Sequence, residues 1–207
     1  MSGTFFMMMA AAGAKKPYSR EVQYLQSSNA CLVNSGIVPD AETELRFKYE
    51  FVGFGDNSGA MICGQTATYG TRANMLGVGP LQAAGRLYTT FGTYSRYTSV
   101  DHGGEDLRVY RGGVWNTGDG TQYRAPIGEG LVQSITTGQP LYVFAENYGG
   151  TMYRAGRIKL HYLKISNNGI LQRDFVPVLD KSDVPCLYDK VSGTLFYNLG
   201  TGSFTYE

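Results

Sequence analysis

The chain has 207 residues, enough for one large β domain with a substantial core. Its 18 basic and 17 acidic residues leave a net charge of +1, and the basic residues stand singly apart from Lys15-Lys16; this excludes a broad electrostatic footprint for nucleic acid or an anionic membrane. With 28 Gly, 16 Tyr and 10 Phe, and no stretch rich in Ala, Leu, Glu and Lys, the composition excludes a helical protein and favours short strands joined by tight turns.

The first segment, Phe5-Phe6-Met7-Met8-Met9-Ala10-Ala11-Ala12, is apolar but far too short to span a bilayer. It runs into Ala12-Gly13-Ala14, a faint cleavage-site pattern. Yet no positive charge precedes it and the lysines follow it, against the order of a secretory signal. Residues 1–20 are therefore read as a retained tail whose Phe5, Phe6, Met7, Met8 and Met9 dock onto a partner. Residues 21–207 are read as the folded domain.

Strands are expected at 22–26 and 32–34, and the clearest follows at 44–51. There Leu45, Phe47, Tyr49 and Phe51 alternate with Glu44, Arg46, Lys48 and Glu50, the period of a half-buried antiparallel strand. Further strands are expected at 60–64, 86–91, 107–111, 141–145, 157–165, 171–178, 184–188 and 194–198. That spacing, with turn residues between, predicts a sandwich or barrel of about ten or more strands with very little helix. In 157–165 the alternation slips, since Ile158, Leu160 and Tyr162 share one face while Leu163 and Ile165 fall on the other. A β-bulge near Tyr162 accounts for it. Asn168-Gly169 predicts a tight hairpin, and residues 189–193 a longer one. Residues 99–130 read as the loop-rich third, where recognition is expected to sit. Cys31, Cys63 and Cys186 are odd in number and have no metal-ligand spacing; three reduced, buried thiols are expected.

Two stretches carry a resemblance. Residues 24–39, with Tyr24-Leu25-Gln26-Ser27 leading into Asn34-Ser35-Gly36-Ile37-Val38-Pro39, resemble the opening strand pair of the laminin-G-like jelly rolls of gut bacteria and their phages. Lys164-Ile165 through Asn168-Gly169, Arg173-Asp174-Phe175-Val176-Pro177, Leu187-Tyr188-Asp189, Leu195-Phe196-Tyr197-Asn198 and Gly200-Thr201-Gly202 are similar to that family's closing strands. The resemblance runs from about Tyr24 to Phe204 and is looser in the middle. It implies a two-sheet antiparallel jelly roll of the concanavalin A or laminin-G kind. It also implies occurrence in adhesins, carbohydrate-binding modules and phage virion proteins.

Catalytic chemistry finds little to stand on. A glycosidase on this fold needs two opposed carboxylates. The nearest candidates, Glu42 and Glu44, lie on a charged strand face with no third in step, and Glu105-Asp106 are adjacent rather than alternating. His102 and His161 have no nucleophile marked beside them, and alternation makes His161 an exposed strand residue. Hard-oxygen ligands for calcium are conceivable at Asp101, Glu105, Asp106 and Asp119, although ordinary acidic turns explain the same residues; no other cofactor is expected.

A sugar offers an apolar ring face edged by hydroxyls, so its sites pair flat aromatics with amides and charged donors. Tyr94, Arg96, Tyr97, Trp115, Asn116, Tyr123, Arg124, Asn147 and Tyr148 supply such groups in or beside Gly-rich segments. Trp115, the sole tryptophan, is either the platform or the packing of a small satellite core. The resemblance, together with the poor match of the N-terminal segment to a secretory signal, implies a non-catalytic phage surface protein with a lectin-like domain, located on the virion. Its partners would be a host-surface glycan, other virion proteins through the tail, and a second copy of itself in a homo-oligomer, with no nucleic acid and no membrane insertion. A secreted bacterial carbohydrate-binding or adhesion module is the alternative.

Overall fold

The computed structural model describes residues 15–54, 59–66, 75–80, 86–128, 135 and 138–207. The expected docking residues Phe5, Phe6, Met7, Met8 and Met9 lie outside the described residues. In chain order the strands are β1 (Tyr18–Glu21), β2 (Leu25–Ser27), β3 (Val33–Asn34), β4 (Thr43–Gly53), β5 (Cys63–Thr66) and β6 (Met75–Pro80). Then come β7 (Leu87–Gly92), β8 (Tyr94–Tyr97), β9 (Asp106–Tyr110), β10 (Gly113–Asn116), β11 (Gln122–Arg124) and β12 (Tyr142–Val143). The last are β13 (Glu146–Tyr148), β14 (Thr151–Tyr153), β15 (Arg157–Asn167), β16 (Ile170–Asp180), β17 (Pro185–Asp189), β18 (Thr194–Phe196) and β19 (Phe204–Tyr206). No helix occurs among the described residues.

The strands form two sheets. The larger, of 11 strands, runs β11-β10-β9-β4-β15-β16-β17-β18, with β1 beside β16 and the β2–β19 pair beside β15. The smaller, of 8 strands, runs β14-β13-β5-β6-β7-β8, with β12 bridging β3 and β5. Among the described residues every pairing is antiparallel except β13 with β5. One apolar cluster joins the sheets: Leu45, Phe47, Leu160 and Leu163 from the larger meet Cys63, Val78, Leu87 and Phe91 from the smaller. Two sheets joined face to face by one core are the arrangement of a β-sandwich; the larger sheet keeps a charged outer face along β4, while β5 and β7 of the smaller are buried at every position.

The local signals explain the larger sheet. Along β4, Thr43, Leu45, Phe47 and Tyr49 are buried while Glu44, Arg46, Lys48 and Glu50 face outward. The slip expected near Tyr162 is a β-bulge: Leu160 opposes Tyr49 and Tyr162 opposes Lys48, leaving His161 as the extra residue. The bulge lets Ile158, Leu160, Leu163 and Ile165 all enter the core. Asn168 and Gly169 turn the β15–β16 hairpin with φ of 50° and 75°, the left-handed pair of a type I′ turn.

Two expectations need correction. The boundary after residue 20 falls inside β1, whose Tyr18, Arg20 and Glu21 pair with β16, so the sheet already includes residues 18–20. The loop-rich middle third carries more strand than expected, because β10 and β11 follow the expected β9 and extend the larger sheet through it. Its β9–β10 turn is Arg111-Gly112, with φ of 46° and 71°. Arg111-Gly112-Gly113 read only as a Gly-rich loop, and arginine is an unusual occupant of that backbone region, so the sequence did not mark a tight hairpin.

Candidate functional site

Side chains directly opposite one another on neighbouring strands share a face. On the outer face of the larger sheet this register aligns residues distant in sequence. Trp115 on β10 lies opposite Arg108 on β9, Arg108 opposite Arg46 on β4, Arg46 opposite Lys164 on β15, and Lys164 opposite Asp174 on β16. In the next row Tyr110 lies opposite Glu44, and Glu44 opposite Ser166.

Glu44 sits among these cations. One carboxylate oxygen accepts from Arg46 Nε at 2.6 Å and the other from Arg108 Nε at 2.7 Å. Burial works against its charge, but the two guanidinium groups outweigh burial and hold the carboxyl below the usual glutamate range. Glu42 accepts from the Tyr110 hydroxyl and from Arg111, and the Tyr110 bond does most to keep its carboxyl low. A groove of about 510 Å³ opens over this array, floored by Glu44, Arg46, Arg108 and Lys164 and ending at the Asn168-Gly169 hairpin. A second hollow of about 480 Å³ adjoins it across Arg46 and Lys164, with Tyr162, Asp174 and Lys190 in its wall.

Trp115 stands at the end of the first row. The Arg108 guanidinium lies 5.0 Å from its ring centre and 5.6 Å from that of Tyr110. The indole reaches back over Gly113, where an added Cβ would come 2.6 Å from its ring edge. Trp115 is thus a partly exposed strand residue flattened along its own sheet, not a loop-tip residue.

Its expected companions divide into separate groups. Asn116 and Tyr123 both donate to Glu105 Oε2, Asn116 at 3.0 Å. The Tyr123 ring stacks on buried His102 with centroids 3.8 Å apart. That cluster ties the loop before β9 to the β10–β11 hairpin, so the Glu105 carboxylate, the Asn116 amide and the Tyr123 hydroxyl are occupied internally. Tyr94, Arg96 and Tyr97 lie on β8, the edge of the smaller sheet. There Arg124 Nη1 donates to the Tyr97 carbonyl at 2.6 Å and joins the edges of the two sheets. Asn147 and Tyr148 sit on β13. The Asn147 amide is fully buried, donating to Pro140 and accepting from Gly150, both at 2.8 Å, so it braces a turn rather than facing solvent.

The proposed calcium ligands are likewise dispersed. Asp101 accepts from the Tyr49 hydroxyl, Asp106 from Tyr162 at 2.8 Å, and Asp119 from the Thr121 amide at 2.9 Å, while Glu105 serves the cluster above. Among the described residues no three His, Cys, Asp or Glu side chains gather in a way that could hold a metal ion. His161, expected to be exposed, has a side chain only 12% accessible. As the bulge residue it tucks between Glu50, 3.0 Å from Nε2, and the Gln23 carbonyl, 3.1 Å from Nδ1. The three cysteines are buried and unlinked, and burial raises the pKa of each thiol, that of Cys186 to about 12.

Sequence reasoning missed Arg46, Arg108, Tyr110 and Lys164 as site residues. The alternation on β4 marked Arg46 as outward-facing, but nothing in one strand shows which charges lie beside it on the next. Comparison with family models, with curated proteins and with solved structures finds no match to this chain. Fold and site define a two-sheet all-β protein with a charged, aromatic-edged groove on the free face of its larger sheet.

Proposed function

We propose that this chain is a non-catalytic recognition protein, a lectin-like jelly roll of the laminin-G kind that binds host-surface glycans from the exterior of a phage particle. The observation that carries the reading is the groove itself. It is an open trough of about 510 Å³ on the larger sheet, lined by hydrogen-bonding groups and Tyr110, with the indole of Trp115 5.0 Å from one of them, Arg108. Flat aromatic surface beside convergent polar groups suits a pyranose, whose faces are apolar and whose rim is hydroxylated.

A hydrolytic role is disfavoured by the state of the carboxyls. A glycosidase needs one carboxyl held protonated as general acid. Glu42 and Glu44 are both pushed the other way by their arginine and tyrosine partners. Buried, unlinked cysteines are compatible with assembly in a reducing compartment, as for a particle built inside a cell.

The test is a glycan array probed with the purified protein, followed by calorimetric titration of any hit against native chain and Trp115→Ala. Binding that depends on Trp115 supports the reading, and an array with no hit counts against it. Peptide mass spectrometry of purified particles tests the virion assignment separately.

A further inference from the structure

We infer that the groove selects an acidic glycan, taking a carboxylate or sulfate of the sugar onto the Arg46–Arg108–Lys164 row. This rests on the glycan-binding reading above and adds the ligand's charge.

The argument is one of charge and reach. Arg46 and Arg108 share a single carboxylate, Glu44, so one positive charge at the centre of the groove has no counterion of its own. Lys164, next in the row, has only Asp174 at 3.6 Å, on the side of the neighbouring hollow. Glu42, the other carboxylate of the groove, is already engaged by Arg111. Side-chain exposures of 53% for Arg46, 33% for Arg108 and 42% for Lys164 leave their donors accessible to a ligand.

An anion seated there would complete an alternation of charges that the protein leaves one member short. Guanidinium groups bind such an oxyanion through paired, charge-assisted hydrogen bonds. The row spans two strand spacings, about 10 Å. Glu42 and Glu44 border it on one side and Asp174 closes its end. That pattern accepts an isolated acid among hydroxyls and opposes a continuous run of phosphates. The chain's net charge of +1 supplies no general attraction in its place.

The experiment measures binding of the intact protein to polygalacturonate, hyaluronate and chondroitin sulfate. Methyl-esterified polygalacturonate, dextran and the hits of the neutral glycan array serve as uncharged counterparts. Duplex DNA and phosphatidylglycerol vesicles serve as non-sugar anions. The expected result is binding to at least one acidic polysaccharide, with an uncharged counterpart weaker by about tenfold or more and affinity falling as salt rises. Arg46→Gln and Lys164→Gln should each weaken it by about tenfold, while Lys159→Gln, on the same strand but outside the groove, should not. Thermal unfolding checks that each variant is folded, and Lys164→Gln carries the test if Arg46→Gln is not.

Neutral glycans binding as well as acidic ones would overturn the inference and leave the recognition reading intact. The absence of binding to any glycan would overturn both. DNA or vesicles binding as tightly as the acidic sugars, or an equal loss on Lys159→Gln, would show diffuse charge attraction and overturn the inference as well.

Discussion

The guanidinium of Arg108 lies 5.0 Å from the centre of the Trp115 ring, directly across the β9–β10 pair from it. The contact aligns the only indole of the chain with the cationic row, beside a groove that Arg108 and Tyr110 line. Arg108 is held from the other side by Glu44 at 2.6 Å, so its plane is set before any ligand arrives.

Trp115→Ala should therefore remove ligand affinity by about 1–3 kcal/mol while costing about 1 kcal/mol or less of stability. Calorimetric titration and thermal unfolding, run on the same preparation, separate the two effects. A large fall in Tm with unchanged affinity per folded molecule would assign Trp115 to packing alone.

Gly113→Ala tests how the indole is seated. The added methyl would meet the Trp115 ring at 2.6 Å and the backbone of Pro126 at 2.8 Å, and the Pro126 backbone cannot simply swing aside. Destabilisation of about 1–3 kcal/mol is expected, with a shift in the emission of the single tryptophan. Unchanged fluorescence and stability would mean that the indole does not lie over Gly113.

Asp189 organises the closing hairpins from a fully buried position. It accepts from the amides of Asp174 at 2.8 Å, Val191 at 3.1 Å and Ser192 at 3.2 Å, and from the Ser192 hydroxyl at 2.7 Å. Asp189→Ala strips these donors of their acceptor and should cost about 3 kcal/mol or more in chemical denaturation. A loss within ~0.5 kcal/mol, the range of ordinary surface substitutions, would contradict that role.

Glu146 should give the molecule an inverted acid response. Burial raises its pKa, and the ion pair with Arg154 at 3.1 Å offsets this only in part. A carboxyl whose folded pKa lies above its unfolded value binds protons more tightly when folded. Its contribution is therefore fully present below the unfolded value of about 4.3 and is lost as pH rises through the raised folded pKa. Glu146→Gln should abolish this decline, so the stability difference, native minus variant, should fall with rising pH across that window. Denaturation curves at several pH values read it out, and a difference that rises with pH would reverse the assignment. The carboxyls of Glu42 and Glu44 act in the opposite sense, since their folded pKa values are lowered and their contribution is lost as pH falls.

Much of the fold was legible because its signals are local. The alternation of Leu45, Phe47 and Tyr49 with Glu44, Arg46 and Lys48 named the buried face of β4 without reference to any other strand. The slip in hydrophobic period around Tyr162 located the bulge, and Asn168-Gly169 located a hairpin. β9 was expected at 107–111, but β10 and β11 escaped notice for a physical reason. Gly113-Val114-Trp115-Asn116 has no clear two-residue alternation, and its turn uses Arg111 where an asparagine or glycine would have announced it.

The site is of the other kind. Sequence alone determined that Arg46 faces outward and that Trp115 is the one indole available. Only the tertiary structure decided that Trp115, Arg108, Arg46 and Lys164 stand in a single row, because cross-strand register joins residues far apart in the chain. The same register separated side chains that looked alike in composition, drawing Asn116 and Tyr123 onto Glu105 and burying Asn147 in a turn. A strand's own sequence states which way each side chain points. What stands beside it depends on which strands pair and where the bulges fall, and that is settled by the packing of the whole core.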